Sequence, residues 1–164
     1  MRKLSYAVTT RNIVLIAVIA ALYTVLTIGL APFSYGPLQF RVAEFLKVFV
    51  LYNPWLSFGI GIGTFFANLA SPYVGPLELF WMPATDIAGG LLAWAVYRLM
   101  NWRYPFMPMF IYAFTTSLAV GLMLFLLGGG VFLAVTIPIF VSEAVILIAA
   151  IPIANLITRL VDLS

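Results

Sequence analysis

The sequence predicts an all-α membrane protein of about six transmembrane helices, and three observations carry that reading. Of its 164 residues, 65% are hydrophobic and 8% charged, with a mean hydropathy of +1.16. The apolar residues come in runs punctuated by Pro and Gly, and at about 20 residues per crossing the chain holds roughly six spans with short connections. Four of the five carboxylates, Glu44, Glu78, Asp86 and Glu143, lie within or beside those runs. A charged side chain at the centre of a membrane helix costs about 2.5–3.5 kcal/mol on insertion scales, so such residues are kept for a partner or a task. No stretch is polar enough for a separate soluble domain, and residues 1–164 read as one integral membrane domain.

The first run is Asn12–Leu30. The Met1-Arg2-Lys3 start imitates a signal peptide, but the run is long for one and lacks a small-residue cleavage site, so a retained span is expected. Ala17-x-x-x-Ala21 gives it a small face with the spacing for close helix contact, and spacing alone favours internal packing. Ala31–Pro37 then breaks the chain. The second run, Val42–Tyr52, is too short to cross: as an α-helix it rises only about 16 Å against a core of about 30 Å. It is expected to be a short helix completed by ordered loop, or half of a re-entrant hairpin with the third run, Pro54–Ala70. Ser71–Pro76 precedes the fourth run, Leu79–Met100. Pro105 opens Phe106–Leu127, and Gly128-Gly129-Gly130 separates that run from Val131–Leu160.

Orientation follows from the basic residues. Arg2, Lys3, Arg11, Arg98, Arg103 and Arg159 fall on one side if six elements alternate, which makes that side, and both termini, cytoplasmic. Trp81 and Tyr73 on the outer side, with Trp55, Tyr97, Trp102 and Tyr104 on the inner, suit the two aromatic belts. The multi-pass chain is therefore expected in the cell membrane, in contact with lipid and with no nucleic-acid partner.

This orientation gathers the polar residues into a funnel that opens outward. Arg41 and Glu44 open the second element, Asn68 ends the third and Glu78 starts the fourth. Asp86 lies about 12 Å deeper and Glu143 about 18 Å below Val131, near the midplane. Phe33, Tyr35, Gln39 and Tyr73 on the outer loops offer stacking faces and hydrogen bonds. Each acid also has a structural explanation. Arg41, Glu44 and Lys47 share a helical face and can neutralise one another. Glu78 can be a first-turn acid favoured by the helix dipole. Asp86 and Glu143 need an internal partner, and Arg98 is too far along the helix to serve Asp86.

Cysteine and histidine are absent, which excludes a disulfide framework, a thiol nucleophile and a His-based metal site. The triple glycine is followed by no Lys-Ser/Thr pair, so it is not a phosphate loop. Three classes stay open: a substrate-capturing transport subunit, an intramembrane enzyme using paired carboxylates, and an assembly subunit whose acids pair with another chain. With no nucleophile and the acids spread over several elements, the transport subunit leads and no catalytic residue is assigned.

Following Ala-Leu-Tyr-Thr-Val-Leu-Thr, the segment Ala31-Pro32-Phe33-Ser34-Tyr35-Gly36-Pro37-Leu38-Gln39-Phe40-Arg41-Val42-Ala43-Glu44 resembles the "AP.S.GP.QFR.SE" segment of the QueT family. Ala67-Asn68-Leu69-Ala70-Ser71-Pro72, with Glu78 after it, is similar to that family's next segment, and Ser142-Glu143 stands where the family shows Gly-Glu. The resemblance implies the substrate-binding (S) component of an energy-coupling-factor transporter for queuosine precursors, with a six-helix bundle and an outer pocket. It also implies docking of Ala17 and Ala21 on a membrane scaffold driven by two cytosolic ATPases. ATP is then hydrolysed by those partners, and this chain binds no cofactor or metal. Ala43 replaces the family's Ser and Glu78 its outer-loop Asp, both in the expected pocket. Glu143 is the first candidate for the buried carboxylate, with Glu78 or Asp86 the second. An S component for another vitamin or purine-like micronutrient is the alternative.

Overall fold

The computed structural model describes residues 9–35, 40–128 and 130–160. Among the described residues every regular element is helical. Helix α1 (Thr10–Gly29) starts where the Thr9 hydroxyl accepts the Asn12 amide at 3.2 Å, an N-cap that satisfies one of the free first-turn donors. A single turn, α2 (Ala31–Ser34), carries Pro32 in its first positions. A 3₁₀ helix (Val42–Leu51) and α3 (Leu56–Asn68) follow. A π turn (Leu77–Trp81) runs into α4 (Met82–Leu99), and α5 (Phe106–Leu126) and α6 (Phe132–Leu160) complete the chain. The turn between the last two helices has left-handed backbone at Gly128 (φ 83°) and Gly130 (φ 102°), a conformation that a Cβ disfavours.

Four of these helices are long and apolar enough to cross a membrane: Thr10–Gly29, Leu77–Leu99, Phe106–Leu126 and Phe132–Leu160. At 1.5 Å per residue they rise about 30–43 Å, against a hydrocarbon core of about 30 Å. The 13 residues of α3 rise only about 20 Å. The bundle is apolar outside and polar within. Val14, Val18 and Val25 of α1 and Leu133, Ile137, Val141 and Val145 of α6 are exposed, while Glu44, Lys47, Asn68, Glu78, Asp86 and Glu143 are buried. That inversion suits a lipid solvent, which satisfies no polar group.

The second run differs most from expectation. It forms a helix of 10 residues, but of the 3₁₀ type, with a rise of about 2.0 Å per residue and three residues per turn. Residues three apart therefore eclipse, and Arg41, Glu44 and Lys47 line up on one edge. The segment packs against α1, α3, α4 and α6, and all but two of its residues are buried. It is the core of the bundle rather than one of its walls.

Glycine lets the walls close on this core. A Cβ on Gly59 would stand 2.8 Å from the Ile16 carbonyl oxygen, and one on Gly63 would stand 2.7 Å from the Tyr23 Cβ. This Gly-x-x-x-Gly face brings α3 against α1 at backbone distance. Gly61 faces the opposite way, where a Cβ would meet Ile87 of α4 at 2.5 Å. The internal contact of α1 is thus made by Ile16, Ile19, Ala20 and Tyr23. Ala17 and Ala21 are exposed, which corrects the internal packing that their spacing favoured.

Candidate functional site

The buried polar residues form two linked clusters. The deeper one centres on Lys47, whose ammonium lies 2.5 Å from Glu44 Oε2, 2.8 Å from Asp86 Oδ1 and 2.8 Å from Glu143 Oε1. Thr116 Oγ1 accepts from it at 3.3 Å, and it sits 4.9 Å from the centroid of the Tyr112 ring. Eclipsing along the 3₁₀ helix aligns Glu44 with Lys47, while α4 and α6 bring Asp86 and Glu143 from opposite sides. Other donors hold the far oxygens: Tyr23 donates to Glu44 Oε1 at 2.7 Å and Thr64 to Asp86 Oδ2 at 2.5 Å. The Tyr112 hydroxyl donates to the Asp86 carbonyl at 2.6 Å, tying α5 to α4.

The second cluster centres on Glu78. Ser71 Oγ donates to Glu78 Oε1 at 2.7 Å, and Arg41 Nη2 lies 3.9 Å from the same oxygen. Local chemistry explains its position. The π turn bonds each carbonyl to the amide five residues on, as Met82 N–H does to Leu77 O, and the residue five after Glu78 is Pro83, which has no N–H. The Glu78 carbonyl is left free of the helix and accepts instead from Asn68 Nδ2 at 2.9 Å. Arg41 also donates through Nε to the Ser34 carbonyl at 3.3 Å and lies over the Tyr35 ring, 5.4 Å from its centroid. Burial pushes the Tyr35 phenol above its ordinary pKa, and its hydroxyl donates to Ala67 O at 2.6 Å. Three buried polar atoms here have no hydrogen-bond partner: Glu78 Oε2, Asn68 Oδ1 and Ser34 Oγ.

A small cavity of about 20 Å³ adjoins the lysine cluster. Arg41, Glu44, Asp86, Thr116 and Glu143 form its polar wall, and Met82, Val120, Ile139 and Ile146 its apolar wall. Polar groups converging beside an apolar wall are a feature that small-molecule sites share. Among the described residues no group of acids, His or Cys forms a candidate metal site.

Of the residues the sequence singled out, Arg41, Glu44, Asp86 and Glu143 meet at the cavity, and Glu78, Asn68 and Tyr35 form the layer around Arg41. Phe33 and Tyr73 do not join them, being 65% and 42% exposed. Gln39 and the rest of segment 36–39 lie outside the described residues. Sequence reasoning supplied Asp86 and Glu143 with no partner, and Lys47 is that partner for both. It also missed Tyr23, Thr64, Ser71, Tyr112 and Thr116, neutral residues whose hydroxyls carry no signal in an apolar run. One signal was available: Lys47 is the only base in the middle of a run, where several acids need a cation.

The chain matches the description "QueT transporter" over residues 13–159. It is 44% identical over 64 residues to the Queuosine precursor transporter QueT of Lactococcus lactis subsp. cremoris (strain MG1363). That alignment covers 38% of this chain and 38% of the relative's length. No solved structure matches. The first match runs from α1 through α6 and takes in every residue of both polar clusters, so the chain belongs to the QueT transporter family.

Proposed function

We propose that this protein is the substrate-capture subunit of an energy-coupling-factor importer in the cell membrane, binding a queuosine precursor from outside and releasing it inside. The observation that carries this reading is the cavity beside the lysine cluster, walled by buried acids in a chain of the QueT transporter family. A 7-deazaguanine presents an N–H beside an amino group, and a carboxylate accepts both together. Glu78 Oε2 and Asn68 Oδ1 are buried acceptors without partners, and they suit that edge. Glu143, Asp86 and Glu44, already bonded to Lys47, suit a second part of the ligand. Four carboxylates against Arg41 and Lys47 make the site net negative when all are ionised, which disfavours anionic vitamins such as biotin or folate.

In this reading the six helical segments from α1 to α6, counting the 3₁₀ helix and leaving out the single turn α2, pack as an S component does. Both termini are cytoplasmic, and the segment between Pro32 and Phe40 closes over the ligand. The exposed Ala17–Ala21 face of α1 docks on a membrane scaffold, and two cytosolic ATPases supply the energy that reorients the loaded subunit. Calorimetry on the purified protein tests the substrate. Binding of 7-aminomethyl-7-deazaguanine or queuine is expected, and tight biotin binding with no deazaguanine binding overturns the class. Mild-detergent co-purification with mass spectrometry tests the partners, and the absence of both a scaffold and ATPases from an active preparation rejects the importer.

A further inference from the structure

The charges beside the cavity do not balance. Arg41 is matched by Glu78 at 3.9 Å. That leaves Lys47 as the cation nearest Glu44, Asp86 and Glu143 together, its ammonium within ion-pair distance of all three. With all three acids ionised, two negative charges would be buried without compensation, an arrangement that binds a proton or a further cation. The groups facing these acids come from every surrounding element: Tyr23 of α1, Arg41 and Lys47, Thr64 of α3, and Tyr112 and Thr116 of α5. They add hydroxyl donors but no further positive charge.

The three acids are not equivalent. Glu44 and Asp86 each receive a hydroxyl hydrogen bond on the oxygen that Lys47 leaves free. Glu143 receives none on Oε2, although the residue is only 5% exposed and lines the cavity. A donor inside the cavity is what that oxygen lacks.

We infer that the cavity is a cation subsite at which a substrate's ammonium group takes the place of a proton held by the acid cluster, with Glu143 Oε2 as its acceptor. The exchange balances: the carboxylic O–H bond breaks, the proton leaves to bulk solvent, and the carboxylate pairs with the incoming ammonium. The net charge of the loaded site is then the same as that of the empty one. This rests on the queuosine-precursor reading and narrows it to ligands with a positively charged substituent.

Calorimetry of the full chain in two buffers of different ionisation enthalpy tests the exchange, with 7-aminomethyl-7-deazaguanine and its neutral 7-cyano counterpart as probes. The aminomethyl ligand is expected to release about one proton on binding, and the cyano ligand none. Glu143→Gln is expected to weaken the aminomethyl ligand by about tenfold or more and to abolish its proton release, with a smaller loss for the cyano ligand. Cyano binding also reports that the variant is folded. If both ligands bind the native chain without proton release, the exchange is overturned, whatever the variant does. Equal losses for both ligands in Glu143→Gln overturn the assignment of the acceptor. If neither ligand binds, the substrate reading falls and this inference with it.

Discussion

Lys47 shows how much one side chain decides here. Its ammonium is completely buried among three carboxylates, and removing the cation from a buried pair strands charge in a medium that cannot solvate it. Lys47→Met is expected to cost about 3–5 kcal/mol of stability at neutral pH. Thermal unfolding in detergent checks this, and an unchanged unfolding temperature contradicts it. Glu78→Gln addresses the second cluster. It keeps the side-chain volume but puts an amide where Oε2 is an open acceptor, so affinity for either deazaguanine should fall about tenfold. Unchanged affinity in calorimetry would remove Glu78 from the ligand site.

At the scale of elements, the sequence was legible wherever a run was long. The observed bounds of α1, α5 and α6 lie within two residues of the predicted runs, because Pro, Gly and hydropathy act locally. The second run was correctly read as too short, yet its 3₁₀ geometry was not visible, since that form depends on packing from four neighbours. The π turn was missed for a related reason. Pro83 announces a missing donor, but only the fold shows that Asn68 fills the gap. The site was legible as a set of acids and illegible as a network, because its hydroxyl partners come from elements far apart in sequence. The two faces of α1 make a paired prediction. Gly63→Leu drives a side chain into Tyr23 and the Ala20 carbonyl, and overpacking of this kind costs about 1–3 kcal/mol, read as a lower unfolding temperature. Ala17→Trp and Ala21→Trp add bulk to the exposed face and should abolish transport while leaving fold and ligand affinity intact. Loss of ligand affinity in those two variants would show the face to be part of the pocket.

For the whole molecule, the open question is which way it stands in the bilayer. This chain has no cysteine, so single introduced cysteines report sidedness cleanly. An impermeant reagent applied from outside should label Phe33→Cys and Val74→Cys, at exposed positions, and spare Asn101→Cys. Ser34 lies beside Phe33 but is fully buried and would be silent on either side. The opposite labelling pattern inverts the molecule and turns the cavity toward the cytoplasm. The lysine cluster also bears on how the protein is made. Lys47 and Glu143 are 96 residues apart, so the ribosome delivers the base long before the last of its acids. Until α6 enters the membrane, the central segment carries an incompletely neutralised lysine with one side of its cage missing. Helix α6 is synthesised after every other element that meets this lysine, so closure of the cage waits for it. A nascent chain arrested before Phe132 should remain open to protease at the Val42–Leu51 segment, and become resistant only once α6 has been released from the ribosome and inserted.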